Sequence, residues 1–326
     1  MSNEVLVVVE QCDGRIADIS FALLGKGKEL ATVLGTKLAA VVVGNEIRTL
    51  AGDLGIADIV LLAQGAQFSH YCPEALKHCV VELVRGRSPR LVLIGNTAYG
   101  MDLAAGLSAE TNIPLLAYCR DFRVEEGQII AVSELYGGKI LVESEAGGTQ
   151  LVVSVLAGAF PVAAGRGAGT PQIEEFSPNP AAAEARIKFK RLIQPESGDV
   201  DITKEALLVS VGRGIGSKDN IPLVQELADA LGAQLSASRP IVDNGWLPKS
   251  RQVGKSGMSV KPKVYLAVGI SGAPEHIEGM RDAELIVAIN SDPTAPIFNV
   301  AHYGVIGDLF DIVPLISEKA KAAGAS

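Results

Sequence analysis

Several things are scarce in this chain, and each scarcity excludes something. No apolar run among the 326 residues reaches the ~18 that a membrane-spanning helix requires, so direct membrane insertion is not expected. The opening segment, MSNEVLVVVEQCDG, has no basic region, no long apolar stretch and no small-residue cleavage site; it enters a strand-like run at once. That predicts a cytoplasmic protein, or a mitochondrial matrix protein if the chain is a processed eukaryotic product. Positive charge is also in deficit: 29 Lys and Arg against 37 Asp and Glu give a net charge of −8. Nucleic-acid binding, which needs clustered cations for phosphate, is therefore not expected. Only four cysteines occur, Cys12, Cys72, Cys79 and Cys119, at spacings that match no zinc or iron–sulfur pattern. No metal site is expected, the thiols are expected to be buried, and any electron-carrying cofactor must be organic.

What is present is a chain rich enough in apolar residues (48%, with 20% charged) to build large cores, and long enough for two domains. The first half alternates short apolar runs with helical patterns: EVLVVVE, a helix from Ile16 to Leu34, KLAAVVVG, a short helix from Ile47 to Leu54, DIVLLA, a helix from Pro73 to Val84, LVLIG, and a helix around Met101 to Glu110. Continuous apolar strands separated by helices predict a parallel sheet covered on both faces. From Pro114 onward the runs up to TQLVVSVLAG predict added antiparallel strands, with turns at Glu126-Gly127 and Gly137-Gly138. A Gly-, Pro- and Ala-rich stretch from 158 to 200 predicts a strand or two and then a connector. The predicted division is residues 1–200, an N-terminal α/β domain, and 201–326, a doubly wound α/β domain. In the second, ALLVSV, LSASRPI, VYLAV and LIVAIN read as strands, and Asn220–Leu231, Glu275–Met280 and Ile312–Ala322 as helices.

Small and polar residues cluster after the successive strands of the second domain. Gly212, Gly214 and Gly216 follow the first strand and precede a helix, an arrangement in which backbone N–H groups and the helix dipole can hold a phosphate. A tight strand-to-helix turn explains this loop equally well, because GRGIG departs from the dinucleotide fingerprint GxGxxG. SASR, QVGKSG, GISGAPEH and INSDPTAP follow the other strands. Loops at the carboxyl ends of parallel strands converge on ligands. Five of them on one edge predict one long ligand, with main chain approaching it closely and Arg213 and Arg239 offering guanidinium forks.

The order GRG, ASR, QVGKSG, VGISGAPEHIEGM, IVAINSDPTAPIF, YGVIGDLFDIVP between Val211 and Val313 resembles the FAD domain of the electron transfer flavoprotein alpha subunit. YGMDLAAGLSAETNIPLLAYC and GGKILVESEAGGTQLVVSVLAGAF are similar to the N-terminal half of that family. The resemblance covers nearly the whole chain. It implies FAD as cofactor, held by Arg213, Ser238 and Arg239, by Gln252, Val253, Gly254, Lys255, Ser256 and Gly257, by Gly269, Ser271, Gly272 and Ala273, by Pro274, Glu275 and His276, and by Asn290, Asp308 and Leu309. It further implies that Arg239 lies against the isoalloxazine and favours negative charge developing there, that the Ser256 hydroxyl reaches flavin N5, and that His276 approaches the pyrimidine end. An electron carrier rather than an enzyme follows, acting as a heterodimer with an electron transfer flavoprotein beta subunit. Its other implied partners are flavin dehydrogenases such as acyl-CoA dehydrogenases and a downstream acceptor oxidoreductase. A connector near 195–205 would let the FAD domain swing between them.

Some residues depart from the family pattern. Lys255 stands where many members carry Gln, Pro274-Glu275 where Ile-Gln is usual, and His302 where Asp is common. Lys255 is expected to raise the flavin potential if its ammonium faces the ring. Trp246 and Tyr303 suit either ring stacking or packing, and Asp308 either the adenosine end or a helix start. The competing functions are an alpha subunit of an electron-bifurcating flavoprotein complex and an NAD-binding enzyme of similar fold.

Overall fold

The computed structural model describes residues 4–12, 14–136, 138–179, 186–191 and 200–324. Gly137 of the expected second turn, part of the Pro- and Ala-rich stretch, and residues 192–199 of the expected connector lie outside the described residues. Contacts divide the chain into two compact units, Met1–Arg191 and Leu192–Ser326.

In the first unit, β1 (Val5–Val9) leads through a two-residue antiparallel ribbon, β2 (Gln11–Cys12) and β3 (Arg15–Ile16), into α1 (Asp18–Val33). Then follow β4 (Leu38–Gly44), β5 (Ile59–Gln64), α2 (Pro73–Arg87), β6 (Leu91–Gly95) and α3 (Ala98–Thr111). β1, β4 and β6 are buried at every position, as expected of strands covered on both faces. Their side chains form two cores: Leu23, Leu30 and Leu54 pack on one face, and Leu76, Val80 and Leu107 on the other. The strands β7 (Leu115–Glu125), β8 (Gln128–Leu135) and β9 (Ile140–Glu145) pair antiparallel, as expected. β10 (Leu151–Val155) does not. It runs parallel to both β6 and β7 and lies between them. The physical reason was in its composition: LVVSV is fully buried and does not alternate, the mark of a sheet interior rather than of a one-faced hairpin. β11 (Gln172–Phe176) adds to β5 at the far edge, giving the order β11-β5-β4-β1-β6-β10-β7-β8-β9.

The second unit contains β12 (Leu207–Val211), α4 (Ile221–Leu231), β13 (Gln234–Ala237), α5 (Arg239–Asp243), β14 (Val264–Val268), α6 (Pro274–Glu278), β15 (Leu285–Asn290), β16 (Tyr303–Ile306) and α7 (Leu309–Gly324). All five strands are parallel in the order β13-β12-β14-β15-β16. The order reverses between β12 and β14, and in such sheets ligands bind beyond the carboxyl ends of strands at that point. Val224, Leu227 and Val313 cover one face, and Tyr265, Met280 and Ile297 the other. Two expectations differ. LSASRPI is a strand only to Ala237, because after the extended residue Ser238 the chain turns into a one-turn helix with Pro240 in its first turn, where the missing N–H is tolerated. β16 was not foreseen; YGVI is exposed along its length and carries no alternation.

Candidate functional site

The loops that leave β12, β13, β14 and β15 enclose a cleft of about 620 Å³. Of the expected ligand residues, Arg213, Ser238 and Arg239 line it, with Gln252, Val253, Gly254, Lys255 and Ser256 on one side. Gly269, Ser271, Gly272 and Ala273 line the other, joined by Glu275, His276 and Asn290. Four expected residues are not among the lining residues. Gly257 packs on the Gln252 backbone and Pro274 starts α6. Asp308 caps α7 by accepting from the Phe310 N–H at 2.9 Å, and Leu309 is buried in the core of that face. The cleft adds Gly214, of the glycine loop after the first strand, and Pro240, Asp243 and Ile270, which sequence reasoning did not single out. Asp243 meets Arg239 as an i, i+4 pair on α5, a helix that the strand reading of LSASRPI did not include.

Several glycines around the cleft are required by the packing of one loop on another. A Cβ on Gly214 would come within 2.9 Å of the Gly269 backbone, one on Gly254 within 2.9 Å of the Glu275 carbonyl, and one on Gly279 within 2.5 Å of Gly254 N. Side chains are absent here because loop packs on loop. The GRG loop is likewise not an open phosphate cradle. The Gly212 N–H donates to the Val268 carbonyl at 2.8 Å and the Gly214 N–H to the Gly269 carbonyl at 3.0 Å, while Gly216 and Ser217 donate within the loop. Those donors clamp the β12 loop to the β14 loop at the point where strand order reverses. Asn290 is also a clamp: its amide donates to the Ile270 carbonyl at 2.8 Å and its oxygen accepts from the Asp292 N–H at 3.0 Å.

The side chains that face the cleft carry charge and unused polar capacity. Arg239 pairs with Asp243 at 3.1 Å, and Lys255 Nζ lies 3.4 Å from Glu278 Oε2, so its charge is shared rather than committed to the cleft. The Gln252 amide donates to Ser256 Oγ at 3.0 Å, which leaves that hydroxyl proton for another acceptor. Ser238 Oγ and His276 Nδ1 are buried without a hydrogen-bond partner. Burial pushes the His276 imidazole down to about 4; the Val253 backbone pulls the other way without reaching hydrogen-bonding geometry, and the ring is neutral near pH 7. His302 lies elsewhere, its Nδ1 accepting the Ile286 N–H at 2.9 Å. Trp246 packs against the core of α4 and α7, and Tyr303 is exposed on β16. Among the cysteines, Cys79 and Cys119 are buried, Cys72 is half-buried, and Cys12, against expectation, is exposed at the tip of the β2–β3 ribbon. No group of side chains that could hold a metal ion occurs among the described residues, and no helix among them is long and apolar enough to cross a membrane.

A doubly wound parallel sheet whose carboxyl-end loops close round a long, cationic and partly unsatisfied cleft defines a binder of a nucleotide-type cofactor. Comparison with known families then specifies the type. Residues 5–181 match the family described as the electron transfer flavoprotein domain, and residues 201–281 the electron transfer flavoprotein FAD-binding domain. The chain is 35% identical to the electron transfer flavoprotein subunit alpha of Clostridium acetobutylicum, over 98% of this chain and 97% of the relative. It is 32% identical to the acryloyl-CoA reductase electron transfer subunit beta of Anaerotignum propionicum (98% and 96%). It is 31% identical to the lactate dehydrogenase (NAD(+),ferredoxin) subunit LctC of Acetobacterium woodii (95% and 75%). This chain belongs to the electron transfer flavoprotein family, as an alpha-type subunit, and its cofactor is FAD. The residues fit that group: two buried polar atoms lack partners at the cleft wall, two guanidinium groups suited to anionic or electron-rich groups line the cleft, and the Ser256 hydroxyl, accepting from the Gln252 amide, keeps its proton to donate.

Proposed function

We propose that this chain is the FAD-bearing half of a heterodimer with an electron transfer flavoprotein beta subunit, and that it carries electrons from flavin dehydrogenases, acyl-CoA dehydrogenases among them, to a downstream acceptor oxidoreductase. The observation that carries this reading is the pairing of buried, unpartnered Ser238 Oγ and His276 Nδ1 with the exposed cations Arg213 and Arg239 round one cleft. Bound FAD supplies reversible electron uptake. The chain supplies placement. Arg239, on the short helix α5, presents a permanent positive charge that favours negative charge gained by the ring. Ser256, oriented by Gln252, offers a hydroxyl donor, and neutral His276 offers a ring without net charge. The loop clamps hold these groups in fixed relation, so little reorganisation accompanies each transfer. Nothing in this scheme requires the chain to make or break a substrate bond, which supports a carrier rather than an enzyme.

A relative whose name includes both NAD+ and ferredoxin favours a second reading, in which the heterodimer is part of an electron-bifurcating complex with another FAD in the beta subunit. One experiment separates the readings. Co-purified heterodimer is assayed for FAD per complex and for NADH oxidation: one FAD and no NADH oxidation supports the simple carrier, two FAD with NADH oxidation the bifurcating mode, and a colourless complex defeats both.

A further inference from the structure

A buried tyrosine lies under the cleft with its hydroxyl committed to one of the cleft residues. Tyr265, on β14, is fully inaccessible and packed among Ile202, Val253, Ala267 and Met280, with the buried hydroxyls of Ser210 and Ser236 beside its own. A hydroxyl in such a place is destabilising unless it is used, and phenylalanine would fill the same volume without that penalty. The hydroxyl is used: it lies 2.9 Å from Nε2 of His276, eleven residues along the chain at the start of α6. The two rings are tilted at 57° with centroids 6.1 Å apart, so the contact is through the polar tip and not by stacking.

We propose that Tyr265 is a positioning residue for the flavin site, donating its hydroxyl proton to Nε2 of His276 and so fixing the imidazole as the neutral Nδ1–H tautomer against the cleft wall. The hydroxyl can give its proton to the ring or take one from it, and giving it leaves Nδ1 to carry the ring proton. Nδ1 is buried at the cleft wall with no hydrogen-bond partner in the chain, so in this tautomer its N–H is left for a ligand in the cleft. Val253 begins the loop that carries Lys255 and Ser256, and the Lys255 N–H donates to the Glu275 carbonyl at 2.7 Å. One hydroxyl on the sheet thereby holds His276, and with it the junction of α6 and the 252–257 loop.

The inference rests on the FAD site proposed above, and its test distinguishes the two. Heterodimer is prepared as wild type, Tyr265→Phe, His276→Asn and the double variant, and FAD affinity and flavin midpoint potential are measured for each. Tyr265→Phe is expected to weaken FAD binding about fivefold, the loss of one buried hydrogen bond, and to shift the potential. In the His276→Asn background the same substitution should change neither. Equal shifts in both backgrounds, or none in either, would overturn the proposal. Nitrogen-15 NMR of histidine in the wild-type heterodimer gives an independent reading that needs no variant to fold. The Nδ1–H tautomer for His276 is expected, and Nε2–H refutes the proposal. Wild-type complex without flavin would defeat the site reading instead, and the NMR tautomer would still decide this one.

Discussion

His276 is held neutral by its surroundings, and that has a consequence for stability. An imidazole in the unfolded chain takes a proton near pH 6.5, whereas the buried ring resists one until about pH 4. Because the folded value is the lower one, the stabilisation is complete above pH 6.5, declines as pH falls through the interval, and is gone below about 4. It amounts to up to about 3 kcal/mol. Urea midpoints measured from pH 7 to pH 4 should fall more steeply for the wild type than for His276→Gln; parallel curves would show that the ring is not the source. Lys255 illustrates how far a single departure from a family pattern can be read. The residue type was visible, and so was the expectation that an ammonium beside the ring raises its potential. Its partner Glu278 was not, because a contact between a loop and the last residue of a five-residue helix has no signature in spacing. With the charge shared and half-exposed, Lys255→Gln should lower the flavin potential by no more than about 40 mV, the equivalent of ~1 kcal/mol for one electron. Glu278→Gln should raise it. Redox titration of both variants checks the opposite signs.

At the scale of elements, the loops depend on glycine for two separable reasons, and substitution distinguishes them. Gly272 has φ +86° and its missing Cβ would run into the backbone of Ile297. Gly216 has φ +77° and nothing within 4 Å. Alanine at 216 should therefore cost only the conformational strain, about 1 kcal/mol, and leave FAD binding intact. Alanine at 272 adds a backbone clash between the β14 loop and the turn before Phe298, and should lower stability by about 3 kcal/mol or more with loss of flavin. Thermal melts and flavin retention report both effects. The same elements show what was legible beforehand. Strands such as LAAVVVG and helices such as the one read from Pro73 to Val84 were readable because burial on both faces, or on one stripe, leaves a periodic trace. The convergence of the β12, β13, β14 and β15 loops followed from parallel strand order. The direction of β10 was obscured by its place after three antiparallel strands, although LVVSV itself reads as interior. β16 left no trace because an exposed edge strand needs no apolar pattern. The role of the GRG loop stayed open between a phosphate cradle and a tight turn: donors of the kind that could grip phosphate are already used by the Val268 and Gly269 carbonyls, and only three-dimensional neighbours reveal that.

At the scale of the molecule, an acidic chain presents a local cluster of cations to an anionic cofactor. The net charge is −8, yet Arg213, Arg239 and Lys255 all border the cleft, against Asp243 and Glu275. Arg213 and Arg239 are exposed at its edge, where water and salt screen them, and an exposed guanidinium contributes little compared with one whose surroundings exclude water. A second chain that covers this rim would strengthen both without adding any residue to the list of contacts. Affinity for FAD should therefore be a property of the heterodimer. The alpha chain alone is expected to bind FAD at least about tenfold more weakly, ~1.4 kcal/mol, and with a steeper dependence on salt, because its cations remain in contact with solvent. Equilibrium titration of FAD into the isolated chain and into the heterodimer, at low and high ionic strength, measures both quantities. Equal affinities and equal salt slopes would mean that the cleft of this chain is complete by itself and that the beta subunit contributes nothing to holding the flavin.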